Sequence, residues 1–265
     1  MAAEDGVGFE EGTLQLISIG GMPKSGTTLL LSLLDGLPEL SALPVEAGVY
    51  LRSGPLGAQR LRRTMLGEGT SSLRSQFASA SLELDSGQRD FLIRAQTMVE
   101  FLREHRQRVD SRSALLRDIL LSWQASGFGA EGVSPFASSE APKASTHVEK
   151  APGNEAVWHL MMRSFDLQTV FVVRDPRVNY ATYIRKYPDL SVAKFAHYWR
   201  QRLALAEACK ATTIVKYEDL IVDPVGMVNN LLKNSGLARN TKVVFPTLGG
   251  HPWRGNSLWA DEGSV

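Results

Sequence analysis

Residues 13–34 read TLQLISIGGMPKSGTTLLLSLL, and this stretch decides the fold. Its first part, residues 13–19, is largely apolar with partial alternation, which predicts a β-strand. Residues 20–26 contain three glycines and one proline, so they predict a loop. Residues 27–34 predict an α-helix that ends before Gly36. The order of strand, glycine-rich loop and helix is typical of a phosphate-binding unit in an α/β protein.

The glycine-rich loop has the glycine spacing of a nucleotide-binding loop but a different lysine position. Gly21 and Gly26 fit the pattern G-x-x-x-x-G-K-[ST], whereas Thr27 stands where that pattern has lysine. The lysine lies inside the loop instead, at Lys24. Backbone N–H groups of such a loop converge on one anion, and the start of the next helix adds positive field. The groups expected around a 5′-phosphate are those of Lys24, Ser25, Gly26, Thr27 and Thr28.

The remaining sequence predicts strands that alternate with helices. Strands are predicted at residues 146–149, 168–173 and 212–215. Helices are predicted at residues 85–107, 113–124, 155–165, 177–186, 191–209 and 224–236. Asn154 and Asp223 are expected to cap the helices that follow them, and residues 127–145 predict a long surface loop. The alternation favours an α/β fold with a mostly parallel sheet.

Composition excludes several classes of protein. The chain has 265 residues with 29 Lys and Arg against 28 Asp and Glu, a net charge of +1. A balance this close to neutral argues against bulk attraction to nucleic acid or to a membrane surface. Cys209 is the single cysteine, so neither an intrachain disulfide nor a cysteine-based zinc site is expected. Residues 1–12 are acidic, unlike a signal peptide, and no apolar run is long enough to span a bilayer. We therefore expect a cytoplasmic protein without a membrane span.

The loop sequence GMPKSGTT resembles the 5′-phosphosulfate loop of the sulfotransferase superfamily, P-[KR]-[SA]-G-[ST]-[ST]. The resemblance is to the bacterial and protein-tyrosine sulfotransferase-like branch. It implies that 3′-phosphoadenosine 5′-phosphosulfate (PAPS) is the sulfuryl donor. It also implies a P-loop NTPase-like three-layer sandwich with a helical acceptor-side insertion. On this basis residues 1–265 form one domain, with a phosphate-loop unit (13–36), a helical cap and flexible loop (53–145) and a 3′-phosphate and adenine half (146–257).

A second constellation follows the predicted strand at residues 168–173. Arg174 directly follows that strand, Pro176 ends the extended segment, and Thr182 lies eight residues after Arg174 on the next helix. An arginine and a hydroxyl so placed can both reach one phosphate. The segment resembles the family's R-D-P-R motif for the 3′-phosphate, with Thr where the family usually has Ser. By the same resemblance Tyr217 lies near the adenine, and Arg254 with Gly255 belongs to a late loop that closes on the 3′-phosphate.

The catalytic residues are expected to be charged groups around the transferred sulfuryl. Lysines can stabilise negative charge on a leaving phosphate without a metal ion, and the resemblance assigns this role to Lys24 and Lys150. A general base must accept the acceptor's proton. Pro152 stands where the small-molecule enzymes of the family have histidine. The protein-tyrosine and many bacterial members instead use a glutamate shortly after the first helix, and this resemblance implies Glu46 as the base, with His147 the alternative.

The resemblance predicts in-line sulfuryl transfer, without a metal, from PAPS to a hydroxyl or amine. The acceptor is a small molecule, a glycan or a peptide, and nucleic acid is not an expected partner. Two other functions stay open, a P-loop nucleotide kinase and a non-catalytic homologue that binds PAPS or its product PAP. The sequence leaves the oligomeric state undetermined. The late loop lies close to Val265, so the chain is expected to be short or truncated at its C-terminal end.

Overall fold

The computed structural model describes residues 13–44, 46, 50, 112–125, 145–185, 187–237, 244–248 and 251–252. The strands are β1 (Gln15–Gly21), β2 (Leu40–Ala42), β3 (Thr146–Lys150), β4 (Asp166–Val173), β5 (Thr213–Lys216), β6 (Thr247–Leu248) and β7 (His251–Pro252). The helices are α1 (Thr27–Leu34), α2 (Arg112–Ala125), α3 (Trp158–Met161), α4 (Pro176–Ile184), α5 (Val192–Ala208), α6 (Tyr217–Val222) and α7 (Pro224–Asn234), with a 3₁₀ turn at Asn154–Ala156.

Five strands form one parallel sheet in the order β2-β3-β1-β4-β5. The short strands β6 and β7 pair separately in an antiparallel arrangement. β1 lies at the centre, with Ile19 level with Lys150 of β3 and Gly21 level with Val172 of β4. The prediction of an α/β fold with a mostly parallel sheet is confirmed, and the carboxyl ends of β3, β1 and β4 meet at one edge.

Helices cover both faces of the sheet, each over its own apolar core. On one face α1, α6 and α7 pack on alternate strand residues such as Ile17, Val148 and Val170. On the other face α2, α3 and the end of α5 pack on Leu16 and Phe171. Because side chains of a strand point alternately to the two faces, the central strands β1 and β4 contribute to both cores. The result is the predicted three-layer sandwich.

Most predicted elements are confirmed to within about two residues, but the helix at 155–165 is wrong. Asn154 does not cap a helix; the chain makes a 3₁₀ turn after Gly153 and then the single-turn helix α3. The Asn154 side chain donates to Glu149 and Ser18 instead. The predicted helix at 85–107 and all but the last residue of the loop at 127–145 lie outside the described residues.

Four short elements have no counterpart in the predictions, namely β2, α6, β6 and β7. The prediction of a cap at Asp223 is confirmed, since its carboxylate accepts from the Gly226 N–H at 2.8 Å. Within the described part of the chain, no helix has both the length and the apolar character needed to cross a bilayer.

Candidate functional site

Several of the residues singled out in the sequence converge on the carboxyl edge of the parallel sheet. Each of four neighbouring strands ends at one of them: Lys150 closes β3, the glycine-rich loop follows β1, Arg174 follows β4 and Tyr217 follows β5. In open α/β sheets, ligands bind in the crevice outside the carboxyl ends of the strands. The topology therefore assembles a site from segments that lie nearly 200 residues apart in sequence (Lys24 to Tyr217).

The backbone of the glycine-rich loop is tightly curled. Gly21, Lys24 and Gly26 have φ values of 143°, 70° and 100°, and Lys24 is the one non-glycine residue with positive φ among those described. The Ser25 N–H donates to the Met22 carbonyl at 3.1 Å, which closes the turn. No side chain caps α1, which begins directly after Gly26. The first-turn N–H groups of α1 therefore face the loop, as in anion-binding helix starts.

Two residues hold this loop from outside its own sequence. Asn179 of α4 is fully buried and donates from Nδ2 to the Pro23 carbonyl at 3.1 Å. The Tyr217 ring lies against Gly26, where any Cβ would overlap it. Gly26 is thus required both by its left-handed φ and by this packing. Asn179 was missed in the sequence, because an asparagine within a helix has no distinguishing pattern.

Lys150 links the loop helix to the predicted base. Its Nζ donates to Thr28 Oγ1 at 3.0 Å and to Glu46 Oε1 at 2.7 Å. The Lys150 side chain is only 8% exposed, whereas that of Glu46 is 55% exposed. The pair therefore joins an enclosed cation to a carboxylate that solvent can reach.

Arg174 lies on the other side of the loop from this pair. Its Nη1 donates to the Lys24 carbonyl at 3.3 Å, and its guanidinium stacks on the Tyr217 ring at 4.3 Å from the centroid. Arg174 Nε and Ser25 Oγ are buried and have no hydrogen-bond partner in the described part of the chain. Buried polar atoms without partners are costly, so these two fit a site whose ligand supplies the missing bonds.

The start of α4 is fixed by the R-D-P-R segment itself. Asp175 caps the helix by accepting from the Arg177 N–H at 2.8 Å, and it pairs with the Arg177 guanidinium at 2.6 Å. These bonds lower the pKa of Asp175 to about 2. Thr182 donates to the Val178 carbonyl of its own helix at 3.0 Å. Asp175 and Arg177 thus act on the helix, while Arg174 faces the loop.

The alternative base, His147, is separated from this site. It is buried on the face of β3 opposite to Lys150, and burial lowers its pKa to about 4. Its strand neighbour Leu16 belongs to the core under α2 and α3. Arg254 and Gly255 lie outside the described residues. The structure therefore brings Glu46, not His147, to Lys150.

A buried carboxylate that the sequence analysis did not single out lies beside the site. Glu149 accepts from Ser18 Oγ at 2.5 Å and from Asn154 Nδ2, and Trp158 Nε1 donates to Ser18 Oγ at 3.0 Å. Burial raises the pKa of Glu149 to about 7. The burial of Glu149 could not be predicted, because nothing in the sequence of a short strand marks a glutamate as buried. Its burial depends on hydrogen-bond partners that only the fold brings to it. No cluster of three or more metal-ligating side chains occurs among the described residues.

Comparisons with known proteins agree with this geometry. The profile of a family described as "Sulfotransferase family" matches residues 17–241. A comparison with curated proteins found no match. Among solved structures, the sulfotransferase domain of the Synechococcus PCC 7002 olefin synthase is similar at 17% identity and a TM-score of 0.53, over 94% of this chain and 88% of that one. A sulfotransferase domain from the curacin biosynthetic pathway is similar at 18% identity and a TM-score of 0.51, over 85% and 75%. At these identities the structural likeness establishes the fold.

Proposed function

Because the chain belongs to the sulfotransferase family, we propose that it transfers the sulfuryl group of PAPS to a hydroxyl or amine acceptor. The observation that carries the proposal is the contact of Lys150 with both Thr28 and Glu46. This contact unites a cation, the start of the phosphate-loop helix and a solvent-accessible carboxylate. Such a set meets the needs of group transfer from a phosphate oxygen to an acceptor oxygen or nitrogen.

The donor assignment follows the polar groups around the loop. The loop backbone with Lys24, Ser25, Gly26, Thr27 and Thr28 would bind the 5′-phosphosulfate. Arg174 and Thr182 would bind the 3′-phosphate, and the Tyr217 ring would lie near the adenine. The buried Ser25 hydroxyl and Arg174 Nε support the assignment, because an anionic ligand would supply acceptors for both. Arg254 and Gly255 remain predicted contacts of the 3′-phosphate.

The chemistry would divide between cations and one carboxylate. Glu46 accepts the proton of the acceptor as its oxygen or nitrogen bonds to sulfur. The bond from sulfur to the phosphate oxygen breaks in line, and the electron pair remains on the departing phosphate. Lys150 and Lys24 stabilise the negative charge that develops there. Glu46 can serve as base because its side chain is 55% exposed, so that an acceptor can approach it.

The acceptor belongs to one of three classes, a small molecule, a glycan or a peptide. Residues 53–111 and 126–144, which the predictions place in the acceptor-side cap, lie outside the described residues. A panel of acceptors drawn from all three classes therefore tests the second substrate.

A ligand-stabilisation experiment tests the donor. PAP is expected to raise the melting temperature, whereas ATP with Mg²⁺ is not, since ligands that bind only the folded state stabilise it by mass action. Stabilisation by ATP with Mg²⁺ alone would favour a kinase. Radiolabelled PAPS offered with a panel of phenols, alcohols, amines and peptides then tests transfer. Binding of PAP without transfer to any of them would favour a non-catalytic homologue.

A further inference from the structure

A buried ion pair lies directly behind the glycine-rich loop, on the sheet face opposite to α1. Arg202 of α5 is 9% exposed and pairs through Nε with the buried Glu155. Its Nη1 donates to the Tyr198 hydroxyl at 2.6 Å. Its Nη2 donates to the Gly21 carbonyl at 3.3 Å. The Arg202 guanidinium thus connects α5, which contains none of the sequence motifs, to Gly21 at the start of the loop.

The Glu155 carboxylate has a hydrogen-bond donor in addition to Arg202. The Gly153 N–H donates to Glu155 Oε2 at 3.2 Å, and burial raises the pKa of this carboxyl although Arg202 opposes that effect. A Cβ on Gly20 would lie 2.9 Å from Glu155 Oε2 and 2.7 Å from Trp158 Cζ2. Gly20 is therefore glycine because Glu155 and Trp158 pack on its Cα.

The two glycines at the start of the loop, Gly20 and Gly21, are therefore required for different reasons. Gly21 has a φ of 143° and lies against the Val172 carbonyl, so the loop backbone requires it. Gly20 is required by the close packing of the Trp158 ring and the Glu155 carboxylate behind the strand. The absence of a side chain at Gly20 leaves the space in which Glu155 pairs with Arg202 close to the loop.

We propose that Arg202, oriented by Glu155 and Tyr198, is a positioning residue that fixes the Gly21 carbonyl and hence the loop that binds the donor phosphate. The proposal rests on the function proposed above. A planar guanidinium suits the role, because it donates to three partners in a fixed geometry that lysine cannot reproduce. Arg202 does not touch the reacting atoms. Its effect reaches the ligand through the backbone of Gly21.

The test must separate positioning from stability. Removing Arg202 alone leaves Glu155 buried without its cation, which destabilises the fold. The double variant Arg202→Met with Glu155→Gln removes both charges and keeps an acceptor for the Gly153 N–H. We expect this double variant to regain most of the melting temperature that Arg202→Met loses. Arg200→Met is the matched control. Arg200 is exposed on the same helix, and its Nε donates to the Ala196 carbonyl within that helix.

Two readouts apply to the folded variants, calorimetric affinity for PAP and hydrogen exchange of residues 20–27. Both Arg202→Met and the double variant are expected to bind PAP about tenfold more weakly. This is the lower end of the range for a hydrogen bond to a charged group, because the lost bond to the Gly21 carbonyl affects PAP only through the loop. Both are also expected to exchange faster in the loop, while Arg200→Met matches the wild type. Arg202→Lys should resemble Arg202→Met in affinity.

The outcomes are distinguishable. A double variant that regains wild-type PAP affinity and loop exchange together with its melting temperature would overturn the positioning role and leave a structural one. If Arg202→Met does not fold, the double variant and Arg202→Lys decide. If the wild type itself binds no PAP, the proposed donor is wrong, and loop exchange alone then decides whether Arg202 fixes the loop.

Discussion

Glu149 and Lys150 are consecutive residues of β3, yet their surroundings have little in common. Glu149 is buried among Ser18, Asn154 and Trp158, and burial raises its pKa to about 7. Lys150 points to the other face and meets Glu46, whose side chain is 55% exposed. The cause is the alternation of side chains along a strand. One face of β3 is sealed, and the other opens toward solvent through Glu46.

Because of this difference in exposure, substitutions on the two faces of β3 should affect different properties of the protein. A reaction with a second substrate needs a group that the substrate can reach, and Glu46 beside Lys150 is such a group. Glu149 and His147 are enclosed, so changes to them act on the free energy of unfolding. Substitutions on the Lys150 face should change turnover or ligand affinity, and those on the Glu149 face should change stability. Four predictions test this division.

The largest effect is expected for Lys150→Met. Loss of its charge beside Thr28 should lower turnover about a thousandfold, the upper range for removing one electrostatic group from an active site. The melting temperature should stay close to that of the wild type, so that the loss of turnover does not reflect unfolding. Steady-state kinetics with PAPS and an identified acceptor measure the effect. Lys194→Met, at an exposed position of α5, is the control and should keep full activity. Turnover within tenfold of the wild type would remove Lys150 from the catalytic group.

Glu46→Gln should lower turnover at least a hundredfold and leave PAP affinity intact, since a general base contributes to the chemical step. Glu207→Gln, an exposed carboxylate on α5, is the matched control. Glu46 and Lys150 are in contact, so the double variant should lose less than the product of the two single losses. Normal turnover in Glu46→Gln would eliminate it as the base.

Arg174→Ala should weaken PAP binding by roughly tenfold to a hundredfold, the range for one hydrogen bond to a charged group. The guanidinium is already ordered by the Lys24 carbonyl and the Tyr217 ring, so little entropy is lost when it binds a phosphate. Calorimetry with PAP measures the change, and Arg185→Ala, exposed at the end of α4, serves as control. Equal affinities for both variants would contradict the 3′-phosphate role.

The glycine-rich loop at the carboxyl edge of the sheet was easier to predict from the sequence than the sealed face of β3, for a physical reason. The residues proposed to bind the 5′-phosphosulfate lie in one short contiguous segment, residues 21–28, because loops and helix starts present backbone N–H groups in sequence order. Their neighbours at the carboxyl edge then follow from the parallel sheet. The α1 helix and the Asp223 cap were predictable on the same local grounds.

The supporting residues could not be predicted, because their roles depend on long-range contacts. Arg202 meets Glu155 across 47 positions, and Asn179 meets the Pro23 carbonyl across 156. The same limit explains the wrong helix at residues 155–165. The sequence makes Asn154 a good candidate for a helix cap, but its Nδ2 donates to the buried Glu149 and its Oδ1 accepts no hydrogen bond in the described part of the chain.

The last prediction concerns stability alone. In the folded protein the pKa of Glu149 is raised from 4.5 to about 7, and that of His147 is lowered from 6.5 to about 4. Between pH 4.5 and 6.5 the folded state therefore holds an extra proton at Glu149 and lacks one at His147. Rising pH lowers stability through Glu149 and raises it through His147, each by at most about 1.4 kcal/mol per pH unit. The two slopes oppose each other in the wild type.

Single substitutions should expose each slope with its own sign. His147→Gln leaves the Glu149 term, so the free energy of unfolding, relative to the wild type, should fall as pH rises from 5.0 to 6.5. Glu149→Gln leaves the His147 term, so the same difference should rise over that interval. Urea unfolding at pH 5.0, 5.75 and 6.5 measures both. Slopes of the same sign would mean that the two groups are not enclosed as the structure describes, and the contrast between the two faces of β3 would then fail.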